Sequence, residues 1–278
     1  MKTIAVVLST AIFAQGLSSC KAMLILARQY KDRDLTETSR GDSRLKAGDK
    51  QGAIASYNKA IEINPDYTYA YMGRAAAKST LGDKKGAIID YNRAIQIDAE
   101  IMEAYCNRGN NKADLGDKLG AVADYNRAIQ LAPKDANLYN NRGTIKLDLG
   151  ISPQEKTQYK QEAIRDFDRA LFLNPKDANP YNNRGNARSD LGDRQGALDD
   201  YDRAIALNPK DANSYYNRSN IKSELGDKEG AITDMTKAAN LYQKQGTIDD
   251  YQQSIELLKQ LSINSGSIKI NSSDKYVD

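Results

Sequence analysis

Histidine is absent from this chain of 278 residues, and cysteine occurs only twice, at Cys20 and Cys106. Without imidazole there is no ordinary general base near neutral pH and no nitrogen ligand for a transition metal. Two cysteines in different contexts make neither a disulfide framework nor a Cys/His metal cluster. No nucleophile elbow and no phosphate-binding glycine loop is present. An excess of charge of one sign is also missing. Lys+Arg is 40 and Asp+Glu is 37, a net charge of +3 with the signs interspersed, so there is no basic footprint for nucleic acid. The apolar run Ile4–Ala14 is too short to span a bilayer comfortably. These absences leave no catalytic set, no metal site and no cofactor to expect. The thiol of Cys106 lies on a helix with no second thiol near it in sequence, and reads as a packed or surface group rather than a nucleophile.

What is present is repetition. The stretch 178–211 reads ANPYNNRGNARSDLGDRQGALDDYDRAIALNPKD. Tyr181, Gly185, Arg188 and Leu191 share one helical face, and Gly192 suits the left-handed residue that ends a helix. Asp193 follows as an N-cap. Ala197, Leu198, Tyr201, Ala204 and Ile205 then form the buried stripe of a second helix, which Pro209 stops. The unit is a helical hairpin. Its turn glycine recurs as Gly48, Gly82, Gly116, Gly150, Gly192 and Gly226, with steps of 34, 34, 34, 42 and 34 residues. A period near 34 means stacked helix pairs.

These residues resemble the tetratricopeptide repeat family, in the regular style of bacterial, especially cyanobacterial, members. Aromatics stand at unit position 4 (Tyr71, Tyr105, Tyr139, Tyr181, Tyr215), small residues at position 8, alanines at positions 20 and 27, and Tyr57, Tyr91, Tyr125, Phe167, Tyr201 and Met235 at position 24. The resemblance implies an all-α, right-handed superhelical solenoid of antiparallel helix pairs. Six repeats are expected at 34–67, 68–101, 102–135, 136–177, 178–211 and 212–245. A lead-in segment, 21–33, precedes them. A capping helix, 246–263, and a polar tail, 264–278, expected to be disordered, follow. Repeat 1 carries Glu37 where the others have tyrosine, as a polar terminal repeat would.

Residues 1–20 fit a secretory signal, with Lys2, the apolar run and then Leu17-Ser18-Ser19-Cys20, which resembles a bacterial lipobox. The resemblance implies a lipid on Cys20, a membrane tether and an extracytoplasmic location. A cut after Gly16 would instead free a soluble protein, the apolar N-terminus could be retained as an anchor or reflect a misassigned start, and a cytoplasmic location is the further alternative. In repeat 4 eight extra residues lie between Gly150 and Ala163, and Ser152-Pro153-Gln154-Glu155 has the capping-box pattern. The expected helix therefore starts at Pro153 and ends at Leu173, with Lys156, Gln158, Tyr159 and Lys160 projecting beyond the rim. A tolerated insertion without a role is the plainer reading.

Two polar patterns recur. Arginine at position 7 (Arg40, Arg74, Arg108, Arg142, Arg184, Arg218) faces aspartate at position 23 (Asp90, Asp124, Asp166, Asp200, Asp234), where the family is usually apolar or aromatic. A structural ion pair inside each hairpin is expected, except in repeat 1, which has Ser56 there. Asparagine recurs on the first helices, on the face that lines the concave groove in the family. The resemblance implies peptide binding there, by Asn107, Asn110, Asn140, Asn141, Asn182, Asn183, Asn186, Tyr216, Asn217 and Asn220. The bland alternative is that asparagine only solvates this face. No clamp lysine stands at position 5, so an acidic chaperone tail is not the expected ligand. Asp114, Asp148, Asp190 and Glu224 at position 13 add an acidic line that suits a polar or basic one. A protein or peptide partner is expected, in a scaffold or assembly factor. A non-catalytic regulatory subunit and a self-associating array are the alternatives.

Overall fold

A computed structural model of the chain describes residues 20–264, with side chains described for residues 33–262. The signal and lipobox lie outside the described residues, apart from the backbone of Cys20, as does the tail beyond Asn264. Every regular element among the described residues is a helix. The chain divides into two compact units, Met1–Pro133 and Lys134–Asp278.

The first unit holds α1 (Cys20–Lys46), α2 (Lys50–Ile63), α3 (Thr68–Thr80), α4 (Lys84–Ile97), α5 (Met102–Asp114) and α6 (Lys118–Leu131). The second holds α7 (Ala136–Leu147), α8 (Pro153–Leu173), α9 (Ala178–Asp190), α10 (Arg194–Leu207), α11 (Ala212–Glu224), α12 (Lys228–Gln245) and α13 (Ile248–Asn264). In each unit consecutive helices pair as hairpins, and each hairpin packs on the next. The first helices also touch one another, α1 with α3 and α3 with α5 in one unit, α7 with α9 and α9 with α11 in the other. They form a continuous row within each unit. The lead-in 21–33 is helical, and α1 runs unbroken from Cys20 through it into repeat 1.

Two glycines make the turn of every repeat but the fourth. Gly192 has φ +87°, a conformation that L side chains rarely adopt. Four residues on, a Cβ at Gly196 would lie 2.2 Å from Oδ2 of Asp193. That glycine leaves room for the Asp193 carboxylate to accept from the Gly196 amide at 2.9 Å and cap α10. The same cap opens α2, α4, α6 and α12. Repeat 4 lacks it. There Ser152 accepts from the Glu155 amide, while the Glu155 side chain accepts from the Ser152 amide, with Pro153 in the first helical turn. The expected helix Pro153–Leu173 is present, 21 residues against 14 in α10.

The core is a file of alanines and one large side chain per hairpin, an aromatic ring in repeats 1–5 and Met235 in repeat 6. Ala197, Ala204 and Tyr201 are buried, and Ile221 of the next repeat closes over them. The small residue at position 8 permits this, since a Cβ at Gly185 would lie 2.7 Å from the Tyr201 ring. Burying one such ring contributes about 1.5–3 kcal/mol.

Candidate functional site

Each hairpin of repeats 2–6 contains the expected ion pair. Arg184 Nη2 and Nε donate to Asp200 at 2.5 and 3.0 Å, and Asp200 is 3% exposed. Equivalent forks join Arg74 to Asp90, Arg108 to Asp124, Arg142 to Asp166 and Arg218 to Asp234. A second cation reaches each carboxylate from position 11, as Lys78, Lys112, Lys146, Arg188 and Lys222. Repeat 1 lacks the pair, as expected, and Arg44 donates to the Ser56 hydroxyl and the Gly52 carbonyl instead.

Sequence reasoning missed the third arm of this cluster. The remaining Nη1 reaches back to position 25 of the preceding repeat, Arg74 to Asn58, Arg108 to Asn92, Arg184 to Asp168 and Arg218 to Asp202, at 2.6–2.7 Å. The guanidinium also lies over its own position-4 ring, 5.6 Å from the centroid of Tyr181. Burial opposes the Arg184 charge, but Asp200 and Asp168 outweigh it and hold its pKa above the usual value. One arginine thus ties two repeats together.

The asparagines occupy the row of first helices. In the second unit they form a ladder between repeats. Asn183 donates to Asn140 at 3.1 Å and to Thr144 at 3.3 Å. Asn217 donates to Asn182 at 3.2 Å and to Asn186 at 2.9 Å. Asn182 also accepts from Ser214, and Asn140 donates to the exposed Asn141 at 3.4 Å. Asn186 and Asn110 have a further task. Their carbonyl oxygens accept from the core hydroxyls of Tyr201 at 2.8 Å and Tyr125 at 2.5 Å. Several of the candidate residues are therefore also structural. Asn107 and Asn110 lie on α5 in the first unit, where Asn107 is half-buried. Tyr216 stands edge-on to Tyr242, its ring centroid 6.5 Å away.

Three candidates, Asn186, Asn217 and Asn220, line one open cavity of about 320 Å³ between α9 and α11. Ser189, Asp190, Tyr201, Ile221 and Glu224 complete its wall. A second cavity, about 370 Å³, shares Asn220 and Glu224 and continues to Ser223, Leu257, Gln260 and Leu261, reaching α13. The hydrophobic wall was not legible from the asparagine pattern, because it comes from a helix outside the repeats.

The acidic line is present but not bare. Lys84 pairs with Asp114, Lys160 with Asp190 at 2.7 Å, and Arg194 with Glu224. Each cation comes from the preceding repeat's second helix, Lys84 and Arg194 as its first residue and Lys160 as the eighth residue of α8. This corrects the reading of Lys160, which does not project beyond the rim. It stands three residues before Ala163, as Arg194 stands three before Ala197, so it fills the ordinary repeat position. The extra length of α8 lies before it. Cys106 is half-buried with its sulfur 3.3 Å from that of Met102. No helix among the described residues is long and apolar enough to cross a membrane, and no acidic or thiol group among them is arranged to hold a metal.

Models of the tetratricopeptide repeat match residues 178–211, 200–233 and 68–101, and a TPR repeat model matches 41–82 and 109–150. This chain carries tetratricopeptide repeats. The TPR repeat-containing protein MJ1428 of Methanocaldococcus jannaschii is 48% identical over 44 residues, which is 16% of this chain and 8% of that protein's length. Among solved structures, PilF of Pseudomonas aeruginosa has a TM-score of 0.65 at 19% identity, covering 81% of this chain and 97% of its own. YrrB, described as a TPR protein with an unusual peptide-binding site, gives 0.54 at 21% identity over 73% and 97%. MamA gives 0.54 at 24% identity over 65% and 94%. These likenesses show an all-α TPR repeat fold.

Proposed function

We propose that this TPR protein is a scaffold or assembly factor that binds a peptide segment of a partner along the row of first helices. In this reading a lipid on Cys20 tethers it to a membrane outside the cytoplasm. The observation that carries the binding role is the cavity where Asn186, Asn217 and Asn220 converge. Asparagine presents both a donor and an acceptor, which suits extended backbone. The peptide-binding site of YrrB supports the same reading by likeness of fold.

The test compares capture from membrane extract of the native host by the wild type and by Asn220→Trp. Asn220 makes no side-chain hydrogen bond among the described residues, so this change fills the cavity without opening the ladder. A partner held by the wild type and lost by the variant supports the reading, and equal capture rejects it. The tether has its own measurement. Incorporation of labelled palmitate by the wild type and not by Cys20→Ala is expected, and an unlabelled wild type in a bacterial host rejects lipidation.

A further inference from the structure

We infer that the cavity between α9 and α11 is a subsite for a cationic side chain of the bound segment, and for arginine above lysine. This rests on the groove reading and adds the chemistry of its ligand. The inference starts from the cavity and the hydrogen-bonding state of its wall.

The amide of Asn217 spends both its reach and its protons on the oxygens of Asn182 and Asn186. Its own oxygen is left as an acceptor. Asn220 adds an uncommitted amide. Asp190 and Glu224 stand at the edge, about half exposed, each holding its neighbouring cation through one oxygen, Oδ2 to Lys160 and Oε2 to Arg194. Each keeps a second oxygen. Neither lysine nor arginine lines the cavity. The wall therefore offers several acceptors on separate residues, two of them ionised, and Ile221 as an apolar strip. A guanidinium has five donors in a fixed plane and a long apolar stem, and can bond several spaced acceptors at once. An ammonium is a point charge and more strongly hydrated. A carboxylate ligand would find no cation in the lining, only the second oxygens of two carboxylates that already hold Lys160 and Arg194. At about 320 Å³ the space is at the small end of ligand sites, ~300–1,000 Å³, which suits one side chain rather than a whole ligand.

The experiment uses the tripeptide Ac-Gly-Xaa-Gly-NH2, with Xaa arginine, lysine, citrulline or glutamate, added to the ¹⁵N-labelled protein. Citrulline keeps the shape of arginine and removes its charge. The expected result is a saturable shift of the Asn217 and Asn220 side-chain amide signals by the arginine peptide, at least fivefold weaker for citrulline and absent for glutamate. The double change Asp190→Asn/Glu224→Gln should erase the preference. Asn220→Lys, which places a cation inside the cavity, should lower the arginine response in a chain whose helical signal is unchanged. Equal responses to arginine and citrulline, or no response from these amides, overturn the inference. If Asn220→Trp still loses the captured partner, the groove reading survives that failure. If capture does not depend on Asn220, the groove reading falls whatever the tripeptides do.

Discussion

Asp200 shows how much one side chain holds. It is 3% exposed and receives Arg184 and Arg188 together. Asp200→Asn leaves two guanidinium groups without their carboxylate. The expected cost is ~3 kcal/mol, the lower end for breaking a buried pair because Arg184 keeps Asp168. The midpoint of urea unfolding, compared with that of the exposed change Asp199→Asn, measures it. Tyr201→Phe should cost about 1 kcal/mol by removing the bond to Asn186. Repeat 4 carries that change already as Phe167, opposite Thr144 rather than asparagine. The arginine–aspartate pair was legible because both partners recur at fixed positions where an apolar residue is usual. Its third arm was not, because Asn58 or Asp168 alone looks like any polar residue on a helix surface. The two jobs of asparagine were inseparable for a related reason. Binding a ligand and receiving a tyrosine hydroxyl require the same amide on the same face.

Among the elements, α8 stands apart. Its capping box replaces the glycine–aspartate cap of its siblings, and Ser-Pro-Gln-Glu announced it. Ser152→Ala should cost about 1 kcal/mol. Amide exchange should quicken over 153–159 and stay unchanged in α10. The Glu155 carboxyl is held below its usual pKa by the Ser152 and Ile151 amides. Its contribution is therefore present above the ordinary carboxylate range and is lost as pH falls through the lowered value. Exchange over the first turn of α8 should quicken in acid before the rest of the helix does. The destination of Lys160 was less legible, because an insertion can be placed anywhere between two fixed landmarks. The contact with Asp190 fixes it before residue 160.

For the molecule as a whole, the buried tyrosines set an alkaline limit. Burial, with Asp90 behind it, pushes Tyr91 up to about 12, and burial does the same for Tyr242, while Tyr57 and Tyr201 are raised further. A phenol whose folded pKa is raised holds its proton when the unfolded chain has lost it. Stability is then intact below about pH 10, the usual tyrosine value, and is lost as pH rises through 12. Thermal melts between pH 8 and 12 should show it, with Tyr201→Phe losing less in alkali than the wild type. The repeat register was legible at this scale from glycine spacing alone. The division after Pro133 was not, since the repeat pattern runs across it without a break.

The junction between repeats 5 and 6 also says how such a chain can lengthen. Repeat 5 carries both halves of the amide ladder and of the arginine and acidic-line pairs that repeat 6 makes with it, though Pro180 stands in the place of Ser214, which donates to Asn182. Its Asn183 and Arg184 stand where Asn217 and Arg218 stand, and its Asn182, Asn186 and Asp202 are the groups those two bind. Its Arg194 meets Glu224, and its own Asp190 sits in the place of Glu224. A duplicate of 178–211 inserted after Asp211 would tile onto its parent through the same ladder and ion pairs, losing only the bond that Ser214 makes. The bonding pattern makes the repeat its own template, so a gene encoding it can grow or shrink in steps of one hairpin while each internal surface stays matched.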